Sequence, residues 1–317
     1  MECVVPLLTA SEPLMVAHRC GGGEAPENTL ESIRYCLNLK VPLIQLDVMH
    51  TKDEKVVLFH DVPVERNMEK LTGVTGQIGD FNYSELPVFK AEFQPNAFCP
   101  EDAPPVKVNH RQVSLFEDAC KLLAGKNVGI ILEFWQESES LVLHVVEMLR
   151  RHGLLNQIAA WGSPEKVTIQ SWCRTACPEI PVLITLAQAF RVWTCWNLGF
   201  HCIGSLGRWL PFLVQGPMVF NVPHISEPWY GALCKFAKTD SHSRSVKTCI
   251  IGSLLCLLKC WTDTPRLFLH LATRYNVPTI LFIANDSTSV KKCCSYKGVN
   301  AVQTDYPKKF MPIFQHT

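Results

Sequence analysis

Short aliphatic runs recur along this chain with room for one helix between most of them, and that alternation constrains the fold more than any other feature. Asn127–Phe134 is almost pure Val, Ile and Leu, the composition of a strand buried on both faces of a parallel sheet. Comparable runs stand at Met15–His18, Leu43–Met49, Val56–His60, Val167–Ser171, Val182–Leu186, Met218–Val222, Thr279–Ile283 and Ala301–Thr304. Helical spacing fills many of the gaps. Glu27–Leu39 places Leu30, Ile33, Cys36 and Leu37 on one face behind an Asn28-Thr29 cap, and Ser138–His152 is amphipathic and stops at Gly153. Ser114–Leu123 opens on a serine with Glu117 three residues on, a capping-box pattern. Pro265–Tyr275 and Ser287–Tyr296 are also helical in pattern. The link Thr51-Lys-Asp-Glu is too short for a parallel crossover, so Val56–His60 returns as a hairpin and brings His60 towards Asp47.

Over 317 residues this alternation implies an α/β fold, a TIM (β/α)8 barrel, or failing that a doubly wound sheet. His18, Asp47, His60 and Glu133 stand at the ends of strand-like runs, which favours the barrel, whose sites lie on the C-terminal face of its strands. The domain is expected over residues 13–312. Two stretches break its regularity: a polar, Pro-rich excursion at 62–112 and an apolar insertion at about 187–262. Within the insertion, Val192–Gly207 and Trp209–Ser226 carry no charged residue, and Trp193, Trp196, Trp209, Trp229 and Trp261 lie in or beside its apolar runs, among them Thr248–Leu258. Such a segment suits either a buried helical hairpin covering the barrel or an interfacial, re-entrant membrane surface.

Net charge of +1 leaves no basic footprint for nucleic acid. Fifteen cysteines without a Cys-x-x-Cys pair favour free, buried thiols in a reducing compartment over a disulfide framework. Met1–Met15 carries Glu2 and Glu12 and no Lys or Arg, so a secretory signal is not expected. Together these point to a protein that is not secreted, associated with a membrane or with the cytoplasmic face of an internal one.

The residues at the strand ends have the chemistry of a phosphate-ester site. His18 and His60 can move protons, Arg19 can grip a phosphate, and Asp47 with Glu133 can hold a hard cation. Each has a plainer reading. A histidine at a strand end is often a hydrogen-bonded structural residue, Asp47 could cap a turn, and Gly21–Gly23 could be a flexible loop. Glu133 ends a wholly apolar strand, where an unpaired carboxylate is costly.

The motifs His18-Arg19, Ala25-Pro-Glu-Asn-Thr29, Gln45-Leu-Asp47 and His60-Asp61, with Glu133, Asn285 and Thr304-Asp-Tyr-Pro307 further on, resemble the glycerophosphodiester phosphodiesterase family, in its membrane-associated animal branch. The resemblance implies a TIM barrel that cleaves glycerophosphodiesters of the choline, inositol or ethanolamine type, or lysophospholipids as a lysophospholipase D. It implies His18 and His60 as the acid–base pair, Arg19 on the phosphate, and Glu27 and Asn28 on a loop beside the site. Gln45, Asp47 and Glu133 would fall on the metal-ligand positions, for Ca2+ or Mg2+. Four residues depart from the family pattern: Gln45 replaces a Glu, Trp135 a Lys, Cys20 a Gly and Phe282 a Trp. These departures leave a second expectation open, a weakened or silent barrel that binds phospholipid headgroups or a membrane partner.

Overall fold

A computed structural model describes residues 8, 12–62, 67–96, 98–100, 102–224 and 264–315. Eight parallel strands close into a barrel: β1 (Leu14–Ala17), β2 (Leu43–His50), β6 (Gly129–Phe134), β7 (Ile158–Gly162), β8 (Val182–Leu183), β9 (Met218–Pro223), β10 (Thr279–Phe282) and β11 (Val299–Thr304). Closure is made by β1, which pairs with β11 on one side and β2 on the other. A short strand β3 (Val56–Leu58) runs antiparallel to β2, and a two-residue ribbon pairs β4 (Glu92–Phe93) with β5 (Val106–Lys107). The barrel expectation holds, as does the hairpin that returns the chain to Asp47.

Strand periodicity sorts the side chains. Val16, Leu43, Ile131, Leu183, Val219, Ile280 and Ala301 pack together, with Leu8 against them, into one apolar cluster. Two residues further along the same strands, the same inward face turns polar, with Gln45 and Asp47 on β2, Glu133 on β6, Asn221 on β9 and Gln303 on β11, all buried. The alternate residues, such as Leu46, Leu132, Phe220 and Val302, join the larger core shared with the surrounding helices. Each such fully buried aliphatic or aromatic side chain stabilises the fold by roughly 1.5–3 kcal/mol.

Most helices follow their sequence signals. Helix Leu30–Leu39 starts at Thr29, whose hydroxyl accepts from the Ser32 amide, and Glu139–Arg151 starts at Ser138, which accepts from Leu141. Three expectations fail. Val167–Ser171 is the start of helix Val167–Ala176, because Ile169 and Cys173 bury one helical face, and the strand belongs to Ile158–Gly162 instead. The Ala-Ala pair in that strand hid it, since alanine carries little β-propensity. Val182–Leu186 is strand only to Leu183; Thr185 caps a helix at Leu186–Asn197. Ser114 does not cap Phe116–Leu123; its hydroxyl accepts from the Leu30 amide of another helix.

The excursion at 62–112 is less polar in place than in composition. Phe59, Met68, Leu71, Ile78, Phe89, Phe93 and Val106 form a second small core beside the hairpin. Of the apolar insertion, residues up to 224 form helices Leu186–Asn197, Phe200–Ile203 and Leu206–Trp209, a turn at Pro211–Val214 and strand β9. The remainder of the insertion, 225–262, with Thr248–Leu258, Trp229 and Trp261, lies outside the described residues. Among the described residues no helix is long and apolar enough to cross a membrane. The described cysteines, Cys20, Cys36 and Cys173 among them, are free thiols.

Candidate active site

β1 ends at Ala17 and the chain turns at once, with Arg19 at φ 48° and Cys20 at φ 61°. Left-handed backbone of this kind costs a non-glycine residue on the order of 1 kcal/mol, which explains why glycine suits the position after His-Arg. The turn aims His18 and Arg19 over the barrel mouth. Gly23 then passes so close to the segment after β11 that an added Cβ would stand 2.7 Å from the Tyr306 ring. The glycine run is therefore a packing contact with Asp305-Tyr306-Pro307 and more than a flexible turn.

His18, Arg19, His60 and Glu133 share one cavity of about 150 Å3, whose apolar wall includes Phe98, Trp135, Leu186 and Phe282. His18 Nδ1 lies 2.8 Å from Asp305 Oδ1. Asp305 also accepts from Asn96 Nδ2 at 2.8 Å and Asn285 Nδ2 at 2.7 Å. Burial alone would raise the Asp305 carboxyl, but His18 and these two amides bring it below the usual carboxylate range. His60 is held from the other side: Asn67 Nδ2 donates to its carbonyl at 2.7 Å and lies 3.2 Å from Nδ1. Burial, with Arg19 and His18 nearby, holds the His60 imidazole well below the ordinary histidine value.

Arg19 is 1% exposed. Its NH1 donates to Glu27 Oε1 at 3.0 Å, NH2 lies 3.2 Å from His60 Nε2, and Nε is 4.0 Å from Asp47 Oδ2. Asn28, at φ 54°, clasps Asp47 twice: Nδ2 donates to Oδ2 at 2.8 Å, and the Asp47 amide donates to Asn28 Oδ1 at 3.0 Å. Asp47 and Glu133 are register partners on adjacent strands. Burial and the neighbouring Asp47 charge push the Glu133 carboxyl up to about 8, and burial also raises Asp47 despite Arg19 and Asn28. All eight residues expected at the site, His18, Arg19, Glu27, Asn28, Gln45, Asp47, His60 and Glu133, thus meet at one end of the barrel.

Several site residues carried no motif. Asn67, Asn96 and Phe98 come from the excursion, and Asn221, whose Nδ2 reaches Glu133 Oε1 at 3.4 Å, comes from β9. Asn221 had one usable signal, a polar residue at an inward position of an otherwise apolar strand.

The chain matches the glycerophosphoryl diester phosphodiesterase family over residues 18–309. It belongs to that family. It is 26% identical over 298 residues to human lysophospholipase D GDPD1, covering 93% of this chain and 83% of the relative. It is likewise 26% identical over 174 residues to a glycerophosphodiester phosphodiesterase of Bacillus subtilis, covering 55% of this chain and 57% of that one. An Oleispira antarctica phosphodiesterase solved with sn-glycerol-3-phosphate shares the fold at TM-score 0.59 and 18% identity, covering 97% of this chain and 99% of that one.

Members of this family generally depend on a divalent metal ion. The side chains in this member do not fit one as they stand. Asp47 Oδ1 already accepts from Gln45 Nε2 at 2.8 Å and from Trp135 Nε1 at 2.7 Å, and Oδ2 accepts from Asn28. Gln45 Oε1 is likewise taken, by the Arg19 amide at 2.7 Å.

Proposed function

We propose that this chain cleaves glycerophosphodiesters of the choline, inositol or ethanolamine type, or lysophospholipids in the manner of a lysophospholipase D, with His18 and His60 as the proton-transfer pair. The observation that carries the reading is the meeting of two imidazoles and a buried guanidinium in one cavity with an apolar wall. His60, kept neutral, takes a proton from an attacking water as the water oxygen bonds to phosphorus, its Nε2 giving up the Arg19 NH2 contact to do so. His18, with Nδ1 turned to Asp305, presents Nε2 to the departing alcohol oxygen and supplies its proton as the phosphorus–oxygen bond breaks. Asp305 acts through His18, as a positioning residue whose carboxylate holds the ring by Nδ1–H while Nε2 carries the proton to be given up. Arg19 faces the cavity and balances the charge that builds on the phosphoryl oxygens, held in place by Glu27. Asn28 is the clasp that keeps Asp47 beside it.

The finer cofactor reading, Ca2+ or Mg2+ on Gln45, Asp47 and Glu133, has oxygen-only donor chemistry in its favour. The hydrogen bonds already made by Asp47 and Gln45 weigh against it. Residues 13–312 serve as one catalytic domain in this reading, and contact with a membrane surface accompanies it. Support for the contact comes from helix Leu186–Asn197, where Leu186, which lines the cavity, is 43% exposed and Phe190, one turn on, 47% exposed.

The test is release of free alcohol from glycerophosphocholine, glycerophosphoinositol, glycerophosphoethanolamine and lysophosphatidylcholine by purified protein, with and without divalent metal. Release that disappears in His18→Asn and His60→Gln supports the reading. No release under any of these conditions rejects it in favour of a silent barrel that binds headgroups, the reading that Gln45 and Trp135 favour.

A further inference from the structure

We propose that the cation of this site is the Arg19 guanidinium, and that the Gln45–Asp47–Glu133 position takes no divalent metal. The inference rests on the phosphodiesterase reading for its substrate, but its first observable, metal binding, does not.

A hard divalent ion takes about six or more oxygen ligands, and where waters and substrate phosphate oxygens supply most of them the protein must still direct one or two carboxylates at it. Asp47 has about four lone-pair directions. Three are filled by N–H groups, from Gln45, Trp135 and Asn28 at 2.7–2.8 Å, and Arg19 Nε stands 4.0 Å from Oδ2. The Trp135 indole nitrogen is a donor only, so no rotation turns it into a ligand. Gln45 is locked as well. Its Oε1 accepts from the Arg19 backbone at 2.7 Å, so turning the amide to offer oxygen to a metal would set an NH2 group against that N–H. What is left is Glu133, which accepts weakly from Asn221 Nδ2 at 3.4 Å, and Asn221 Oδ1, a buried oxygen with no hydrogen bond among the described residues. Of the three ligand positions Glu133 alone would have to hold the ion, without the second carboxylate that Asp47 would lend and without the Gln45 oxygen.

The two departures from the family pattern thus act on one carboxylate. Gln45 and Trp135 each donate to Asp47 Oδ1, converting a potential ligand into a hydrogen-bonded anchor. The positive charge that remains is Arg19, bound to Glu27, beside Asp47, in contact with His60 and open to the cavity. A guanidinium offers planar, paired N–H donors to a phosphate without asking for ligands of its own.

Titration of Mn2+ into the wild-type protein, followed by the electron paramagnetic resonance of the free ion, tests this directly. The free-ion signal is expected to rise as it does in buffer, and Ca2+ or Mg2+ is expected to leave the thermal midpoint unmoved. In the variant Gln45→Glu/Trp135→Phe, one Mn2+ per chain is expected to leave solution. Calorimetry with sn-glycerol 3-phosphate should give the same affinity in EDTA as in excess Mg2+, and about tenfold or weaker binding in Arg19→Lys, which keeps the charge but loses the fork. One saturable Mn2+ site in the wild type that vanishes in Asp47→Asn would overturn the proposal, as would sn-glycerol 3-phosphate binding that requires metal. If the double variant fails to fold, the wild-type titrations still decide. Absence of hydrolysis together with absence of metal binding removes the enzymatic reading and leaves this one standing.

Discussion

His18 Nδ1 and Asp305 Oδ1 lie 2.8 Å apart although 287 positions separate them in the chain. The pair joins the end of β1 to the end of β11, so the seam that closes the barrel also orients an imidazole of the site. A ring held by Nδ1 in this way turns its other nitrogen, Nε2, to the cavity that His18 lines.

Replacing Asp305 with Asn removes the carboxylate charge that faces the ring at Nδ1 while His18 gives up its proton from Nε2. The expected loss in kcat is about 10- to 100-fold, as for other partners that act through a histidine, with KM little changed. Steady-state kinetics on glycerophosphocholine, with circular dichroism to establish folding, measures this. An equal rise in KM with kcat intact would place Asp305 in substrate binding instead.

His60 yields a pH prediction with a definite sign. The folded protein keeps it neutral under conditions where an unfolded chain protonates a histidine, at about pH 6.5 and below. Its neutral form therefore contributes stability that is complete above that value and is lost as pH falls from there towards the lower folded value. Thermal midpoints of wild type should drop on acidification below about pH 6.5 more steeply than those of His60→Gln. The acid limb of kcat/KM should also lie below that value if His60 is the base. A variant whose midpoint falls just as steeply would show that other groups govern the acid response.

Gly23→Ala is the third change with a determined outcome. The new Cβ would meet Tyr306 Cζ at 2.7 Å and the Asp305 carbonyl at 3.0 Å, so the segment carrying Asp305 must shift. Overpacking of this kind costs about 1–3 kcal/mol. A lowered urea midpoint together with reduced kcat is expected; unchanged values for both would mean that the segment moves freely and does not hold His18.

Much of the site was legible because its residues obey short-range rules. Gln45 and Asp47 are two apart on one strand and so share a face, and the short Thr51-Lys-Asp-Glu link fixes His60 beside them. Ile158–Gly162 was illegible because Ala-Ala-Trp-Gly lacks the β-branched residues that mark a strand, whereas Val167–Ser171 has them and is a helix. The partners of the histidines were illegible for another reason. Asn67 and Asn96 sit in a polar segment where nothing local distinguishes one amide from another.

The sequence by itself determined the barrel class and placed His18, Arg19, Asp47, His60 and Glu133 at strand ends, because strand period and loop length act over a few residues; Glu27, Asn28 and Gln45 came from the resemblance of their motifs to the family. Only the tertiary structure decided what Gln45 and Trp135 do there. A glutamine can offer either its oxygen or its nitrogen to a neighbour, and which one faces Asp47 depends on the Arg19 amide, 26 positions away. The indole reaches the same carboxylate from 88 positions away on the next barrel strand's exit. Hydrogen-bond direction across strands is set by packing, and it turns Asp47 from a possible metal ligand into the anchor of a buried arginine.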